Sequence, residues 1–381
     1  FQIFLILQKT GLEIMNLYKI FLAAGGSGGH IFPAYSLSKY LMKKKRKVTI
    51  ITDKRGFKFL KNYSGIKIKT IISSTIFKNN PIKFIISITI IFSAILNSLI
   101  FLFFNRPNIV IGMGGYSSFP ICIAAKFLGI PFAIYENNLL IGKTNKYLLP
   151  FAEKFFISNI DIKGINYKYD RKIIKIGNIV REEILNYISK KKNKRTNTLN
   201  ILILGGSQGA KIFGEKLPLI FKQCKKNNIN FKITQQCQIN QNKTLGKFYQ
   251  SNKIKFKIFN FKKNILEYFK KVDLVITRSG SSIISELINC RIPFIAIPLP
   301  TASDNHQLLN AKYFEKKGCN FVIEEKDLET KIFPLIKLID KDKSLLNRII
   351  KKQEMFSDKN VFKNIEIEIN NIIHEKNRHR K

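Results

Sequence analysis

A histidine closing a glycine cluster is the first group in the chain equipped for chemistry. Phe21-Leu22-Ala23-Ala24 runs into Gly25-Gly26-Ser27-Gly28-Gly29-His30, and Pro33 comes next, where a helix is expected to open. Glycines permit positive φ and close backbone approach to a ligand, and the free N–H groups of a helix start attract an anion. An imidazole titrates at about 6.5 when unperturbed and is largely neutral at pH 7, so His30 suits a general base. A strand-to-helix turn without a ligand is the alternative. A second glycine loop, Gly112-Met113-Gly114-Gly115-Tyr116-Ser117-Ser118-Phe119-Pro120, and a third, Gly205-Gly206-Ser207-Gln208-Gly209-Ala210, have the same style. In Arg278-Ser279-Gly280-Ser281-Ser282-Ile283-Ile284-Ser285-Glu286 the serines can cap a helix and donate to a diphosphate. Glu286, one turn inside, can accept from a ribose diol, or is an ordinary first-turn carboxylate favoured by the helix dipole.

The elements that position these groups alternate strand and helix. Strands are expected at Tyr18–Ala23, Val48–Thr52, Ile66–Ile72, Ile109–Ile111 and Phe132–Tyr135, with apolar residues at helical spacing between the first two at Ala34, Leu37, Leu41 and Met42, and Ile173–Gly177 ends the first half. Such alternation demands a parallel sheet with right-handed crossovers. The strand at Phe132 ends on Glu136-Asn137-Asn138, with Gly142-Lys143-Thr144-Asn145 shortly after. Open α/β sheets bind ligands at that end of a strand, although Asn and Gly also simply make turns. Lys190–Asn197 is polar and without periodicity, the best linker candidate.

Beyond it the pattern restarts with strands at Leu199–Leu204, Phe231–Thr234, Phe256–Phe259, Leu274–Thr277 and Phe294–Ile297. The third glycine loop comes about 180 residues after the first, suggesting two similar domains facing each other. After Pro298 and Pro300, the segment Thr301–Gln307 leads into a helix carrying Asn310, and the remaining chain reads as helical. The apolar residues of Val361–Ile373 are spaced for a helix that packs back on the first domain.

With 381 residues, 45% of them hydrophobic, the chain can bury two cores. Its net charge of +41 invites a nucleic-acid reading. The excess is mostly lysine spread along the whole chain alongside heavy Ile, Asn and Phe use, which argues for compositional bias and against nucleic acid. Phe84–Phe104 carries no formal charge and is long enough to span a bilayer. Ser87, Ser93, Asn97 and Ser98 interrupt it, and it sits between units of one sheet, so a helix partly buried and partly touching a membrane is expected. Lys78, Lys83 and Arg106 would face anionic head groups. Five scattered cysteines without CxxC spacing point to neither a disulfide framework nor zinc, and the four histidines form no HExxH pattern. No metal or cofactor is expected. Residues 1–14 read as an upstream extension before Met15.

GGSGGHIFPA, GMGGYSSFPICIAA, YENN with GKTNK, GNIVR, GGSQGA, RSGSSIISE and PLPTASDNHQLLNA, in register from about Met15 to Asp327, resemble the successive signatures of the MurG family of bacterial glycosyltransferases. The resemblance implies an α/β GT-B fold, two Rossmann-like parallel-sheet domains facing across a cleft. It implies an N-terminal domain over 15–181 that takes the acceptor and meets the membrane, a linker over 182–198, a nucleotide-sugar domain over 199–358 and a terminal helix over 359–381. The implied reaction moves N-acetylglucosamine from UDP-N-acetylglucosamine to the 4-hydroxyl of undecaprenyl-linked N-acetylmuramoyl-pentapeptide, with inversion, for peptidoglycan. The implied location is peripheral, on the cytoplasmic face of the inner membrane.

By position, Ser27, Gly28 and Gly29 resemble loop contacts to the donor, and Asn138 resembles the asparagine facing the sugar. Arg181 resembles an arginine near the interdomain hinge, Ser207 with Gln208 the segment beside the diphosphate, and Lys262 stands where an apolar uracil contact is usual. Ser281, Ser282, Ile283, Ile284, Ser285 and Glu286 match the uridine and ribose segment, Gln307 the glutamine touching N-acetylglucosamine, and His30 the candidate base. Further departures are Ser27 for threonine, Tyr135-Glu136-Asn137-Asn138 for the usual His-Glu-Gln-Asn, and Ile179 for the proline expected before Val180. A GT-B transferase acting on diacylglycerol, a dinucleotide-binding oxidoreductase and a non-catalytic binder of nucleic acid are the rivals; GGSGGH departs from the GxGxxG that the oxidoreductase needs.

Overall fold

The computed structural model describes residues 18–73, 80–187, 197–206, 210–260 and 265–378. Residues 1–14, Lys78, most of the linker, Ser207, Gln208 and Lys262 lie outside them.

The first half forms strands β1 (Lys19–Ala23), β2 (Lys47–Thr52), β3 (Lys67–Thr70), β4 (Ile109–Gly112), β5 (Phe132–Glu136), β6 (Lys154–Ile157) and β7 (Ile173–Lys175). They make one parallel sheet in the order β3-β2-β1-β4-β5-β6-β7. The second half supplies β8 (Leu199–Leu204), β9 (Phe231–Gln236), β10 (Lys255–Phe259), β11 (Leu274–Arg278), β12 (Phe294–Ile297) and β13 (Phe321–Val322), parallel in the order β10-β9-β8-β11-β12-β13. Each sheet reverses its winding between its first and fourth strands, which is where doubly wound folds open a crevice for ligands. The four loops leaving β1, β4, β8 and β11 at those points are the three glycine loops and the serine-rich segment.

Alternation along each strand feeds a core on both faces of the sheet. Ile20 and Leu22 meet Ile31, Ala34 and Leu37 of helix Gly28–Lys43, while Phe21 and Ala23 meet Ile121 and Ala124 of helix Ser118–Phe127. In the second sheet Ile201 and Ile203 pack with Phe213 and Leu217 of helix Lys211–Lys226, and Leu202 and Leu204 with Ile284 and Leu287 of helix Ser281–Asn289. Val361, Ile365, Ile369 and Ile372 of the terminal helix Val361–Arg378 belong to the first sheet's core, although the chain reaches them after the second sheet.

Two strands escape the sequence pattern. β6 is four residues long, and β13, inside the stretch read as wholly helical, is two residues paired with β12. Periodicity has no room to declare itself over such lengths.

Helix Pro81–Phe104 crosses from β3 to β4 as one uninterrupted element, with Asn80 capping it by accepting from Lys83 N at 2.9 Å. Ile82–Phe104 is long and apolar enough to cross a membrane, with mean hydropathy 2.4. Ser87, Ala94, Ser98 and Leu102 are buried, one face at helical spacing, and Ser87 and Ser98 turn their hydroxyls back to the carbonyls of Lys83 and Ala94. The opposite face shows Ile85, Phe92, Ile100 and Phe103 to the outside.

Candidate functional site

The loops at the two switch points face one cleft of about 1470 Å³, walled by Gly25–His30, Gly114–Tyr116 and Glu136–Asn138 on one side and by Gly205, Gly206, Arg278, Gly280–Ile283, Glu286 and Gln307 on the other. Arg181 also reaches it.

On the first side the two glycine loops interlock. Gly25 N donates to Gly114 O at 3.2 Å and Met113 N to Ala23 O at 2.8 Å. At Gly115, φ is +81°, and a Cβ would fall 2.2 Å from Gly25 O, so only glycine lets the loops meet. The second loop also seats the imidazole. A Cβ at Gly114 would come within 2.6 Å of His30 Nδ1, and the ring hydrogen-bonds to the Met113 carbonyl. The ring nitrogen that does not hold the Met113 carbonyl is left as the basic one. Burial pushes the His30 pKa below its ordinary 6.5, against the upward pull of Glu136 and the Met113 carbonyl, while His306 adds to the lowering.

Glu136 organises the polar loop after β5. Its carboxylate accepts from Asn138 N (3.1 Å), Asn138 Nδ2 (2.8 Å), Gly142 N (2.9 Å) and Asn145 Nδ2 (3.0 Å). The asparagine so fixed touches the other half, since Asn310 Nδ2 donates to Asn138 Oδ1 at 3.1 Å and Leu139 N donates to Asn310 Oδ1 at 3.0 Å.

The helix after the first loop begins at Gly28, not at Pro33, which lies inside it. A helical proline has no N–H for the carbonyl four residues back, here Gly29 O. That carbonyl instead accepts from Asn137 Nδ2 at 3.1 Å and from Ser282 Oγ, in the second half, at 3.4 Å. Proline looks like a helix opener in sequence because it is common at the first position; tertiary donors make it tolerable farther in.

On the second side Ser281 and Ser282 open helix Ser281–Asn289, whose first N–H groups have no intrahelical partner. Ile284 packs in the core and Ser285 turns its hydroxyl back to Ser281 O at 2.8 Å, so neither of these two expected site side chains lines the cleft. Gln307 lines it, its side-chain oxygen accepting from Leu299 N at 3.1 Å. Immediately before helix His306–Lys316, which carries Gln307, Asp304 and Asn305 both hold positive φ of about 50°, a costly conformation for residues with a Cβ.

Arg181 and Glu286 meet between the halves: Nε donates to Oε1 and Nη2 to Oε2, both at 2.9 Å. Burial alone would lower the Arg181 pKa, and the Glu286 carboxylate overrides it and holds the guanidinium above its ordinary range. The planar fork fixes orientation as well as charge.

The fold thus brings His30, Ser27–Gly29, Asn138, Arg181, Ser281–Ile283, Glu286 and Gln307 to one cleft. Sequence reading missed the structural tasks of Glu136, Asn137 and Asn310. The only signal for the first two was their place at the end of a buried strand; Asn310 carried none, because its partners lie in the other half of the chain.

Known proteins resemble the chain along most of its length. The glycosyltransferase family 28 N-terminal domain matches residues 20–157 and the glycosyltransferase family 28 C-terminal domain residues 200–365. A UDP-N-acetylglucosamine--N-acetylmuramyl-(pentapeptide) pyrophosphoryl-undecaprenol N-acetylglucosamine transferase of Pelagibacter ubique is 36% identical over 364 residues, 94% of this chain and 99% of that protein. One of the same name from Rickettsia bellii is 36% identical over 343 residues, 87% and 95% of the two chains. Among solved structures, MurG of Acinetobacter baumannii superposes with a TM-score of 0.72 at 25% identity, covering 93% of this chain and 99% of its own.

Proposed function

The chain belongs to the MurG group of glycosyltransferase family 28, and from that premise we propose that it transfers N-acetylglucosamine from UDP-N-acetylglucosamine to the undecaprenyl-diphosphate-linked N-acetylmuramoyl-pentapeptide, in the synthesis of peptidoglycan. The observation that carries the proposal is the apposition across one cleft of His30 and the serine-rich helix start that ends on Glu286.

In this reading the 4-hydroxyl of the muramoyl sugar attacks the anomeric carbon of N-acetylglucosamine from the face opposite the diphosphate. The C–O bond to UDP breaks as the new one forms, turning α into β. The free ring nitrogen of His30 takes the hydroxyl proton, a role that typically contributes about 10² to 10⁴ in rate. Negative charge grows on the departing diphosphate, and the N–H groups at Ser281 and Ser282, with their hydroxyls, oppose it in a site already oriented. By the family resemblance alone, Ser207 and Gln208 are assigned to the diphosphate and Lys262 to the uracil. Glu286 accepts from the ribose hydroxyls, Arg181 holds Glu286 in orientation, and Asn138 and Gln307 face the N-acetylglucosamine. Ser27, Gly28 and Gly29 complete the donor site from the opposite wall.

The acceptor carries a polyprenyl chain, so the enzyme works at a bilayer. The exposed apolar face of helix Pro81–Phe104, with Lys83 and Arg106 at its ends, supports a peripheral contact with anionic lipid on the cytoplasmic side. Retention on vesicles after alkaline carbonate washing would instead indicate a true span.

Incubation with labelled UDP-N-acetylglucosamine and either the lipid-linked muramoyl-pentapeptide or diacylglycerol tests the proposal. Label is expected in the first acceptor alone. Label in diacylglycerol would transfer the chain to the rival lipid glycosyltransferases.

A further inference from the structure

We infer that Tyr135 is a positioning residue for the donor site, because its hydroxyl fixes the connector on which Arg181 sits. Ile179 N donates to the Tyr135 hydroxyl at 2.9 Å, and the hydroxyl lies 3.4 Å from Gly177 O, which can accept from it. Tyr135 and Ile179 are each 2% exposed, so water does not substitute for this contact. The neighbouring residues of the connector are tied as well. Gly177 takes φ +101° and has no room for a side chain against Asp358, and Asn178 N donates to Asp358 Oδ1 at 2.7 Å. Two residues beyond Ile179, Arg181 makes its two-pronged contact with Glu286.

A buried amide without a partner is costly. Without the hydroxyl, the connector relieves that cost by turning the Ile179 N–H toward water, and Arg181 withdraws from Glu286 as it does so. The share of molecules ready to bind the nucleotide then falls, and apparent affinity falls with it.

The same contact accounts for two departures from the family pattern at once. The resemblance predicts histidine at 135 and proline at 179. Proline has no N–H to satisfy, whereas Ile179 has one, and the residue supplying its acceptor is the tyrosine that replaces the histidine. Tyr135 and Ile179 are therefore one compensated pair.

This inference rests on the donor-site reading of Arg181 and Glu286, and calorimetric titration with UDP separates the two. Failure of the unaltered chain to bind UDP would overturn the donor-site reading itself. If it binds, Tyr135→Phe is expected to weaken binding by at least about fivefold, the low end for one orphaned buried amide. Tyr249→Phe, which removes another buried tyrosine hydroxyl (2.6 Å from Gln235 Oε1), serves as the control for general loss of stability and is expected to leave affinity within about twofold. Ile179→Pro added to Tyr135→Phe removes the orphaned N–H and is expected to restore affinity to within about twofold of the unaltered chain. UDP affinity unchanged in Tyr135→Phe, or a folded double variant that binds no better than Tyr135→Phe, would overturn the inference.

Discussion

Replacing Pro33 by alanine should stabilise the protein and weaken its hold on the donor, two effects of opposite sign from one change. Alanine restores an N–H aimed at Gly29 O, which now accepts from Asn137 at 3.1 Å and Ser282 at 3.4 Å. A carbonyl oxygen has two lone pairs, so three donors compete for two places and the longest contact yields. That contact is the one from the second half of the chain. Its loss is worth the lower end of a neutral hydrogen bond, about 0.5–1 kcal/mol, or roughly a two- to fivefold drop in the share of molecules whose two halves meet at Gly29 O. Meanwhile the helix gains a main-chain bond and loses an ill-suited residue. The full penalty of an interior proline is about 3 kcal/mol, but Asn137 and Ser282 already repair part of it, so a gain of about 1 kcal/mol is reasonable. For domains of this size that raises Tm by roughly 2–4 °C. Differential scanning calorimetry and UDP titration on the same samples read both quantities. A lower Tm with unchanged affinity would refute the role given to the Gly29 carbonyl.

His30→Ala should cut turnover by about 10² to 10⁴ while changing UDP affinity little, and equal turnover would end the assignment of the base. Because burial holds the His30 pKa below 6.5, activity should fall in acid with a midpoint below that value, and the limb should vanish in the alanine variant; a midpoint above 6.5 contradicts the burial argument. The same depression means the folded state resists protonation, so stability is lost as pH falls from 6.5 through the folded value, measurable as a Tm that declines less in His30→Ala. Phe92→Glu with Phe103→Glu should reduce binding to anionic vesicles and leave Tm nearly unchanged, since both rings are already exposed; undiminished vesicle binding would move the membrane contact elsewhere.

Much of the fold can be read from residue order because each sheet is built from local units. Ile20-Phe21-Leu22-Ala23 announces a strand buried on both faces, and Gly25–His30 announces the tight turn from that strand into a helix. Short elements such as β6, inside the first sheet, and β13, at the edge of the second, are held by neighbours they cannot name in sequence. The site is legible to a similar depth. His30, Ser282 and Glu286 stand out by type and position and Gln307 only through the family resemblance, whereas their partners are set by the folding of two distant halves onto one another. Nothing near Arg181 in sequence marks Glu286 as its partner, and nothing near Pro33 predicts that Asn137 and Ser282 take over its missing bond. Conversely, Ile284 and Ser285 share a motif with Ser282 yet point away from the cleft, since successive helical residues face different directions.

Direct attack of a hydroxyl on the anomeric carbon, opposite the departing diphosphate, inverts that carbon. The anomeric configuration of the purified disaccharide-lipid product, read from its proton coupling by nuclear magnetic resonance, tests this most directly. A β linkage to the 4-position of the muramoyl sugar is expected from the α-linked donor. An α linkage, or attachment at another position, would contradict it.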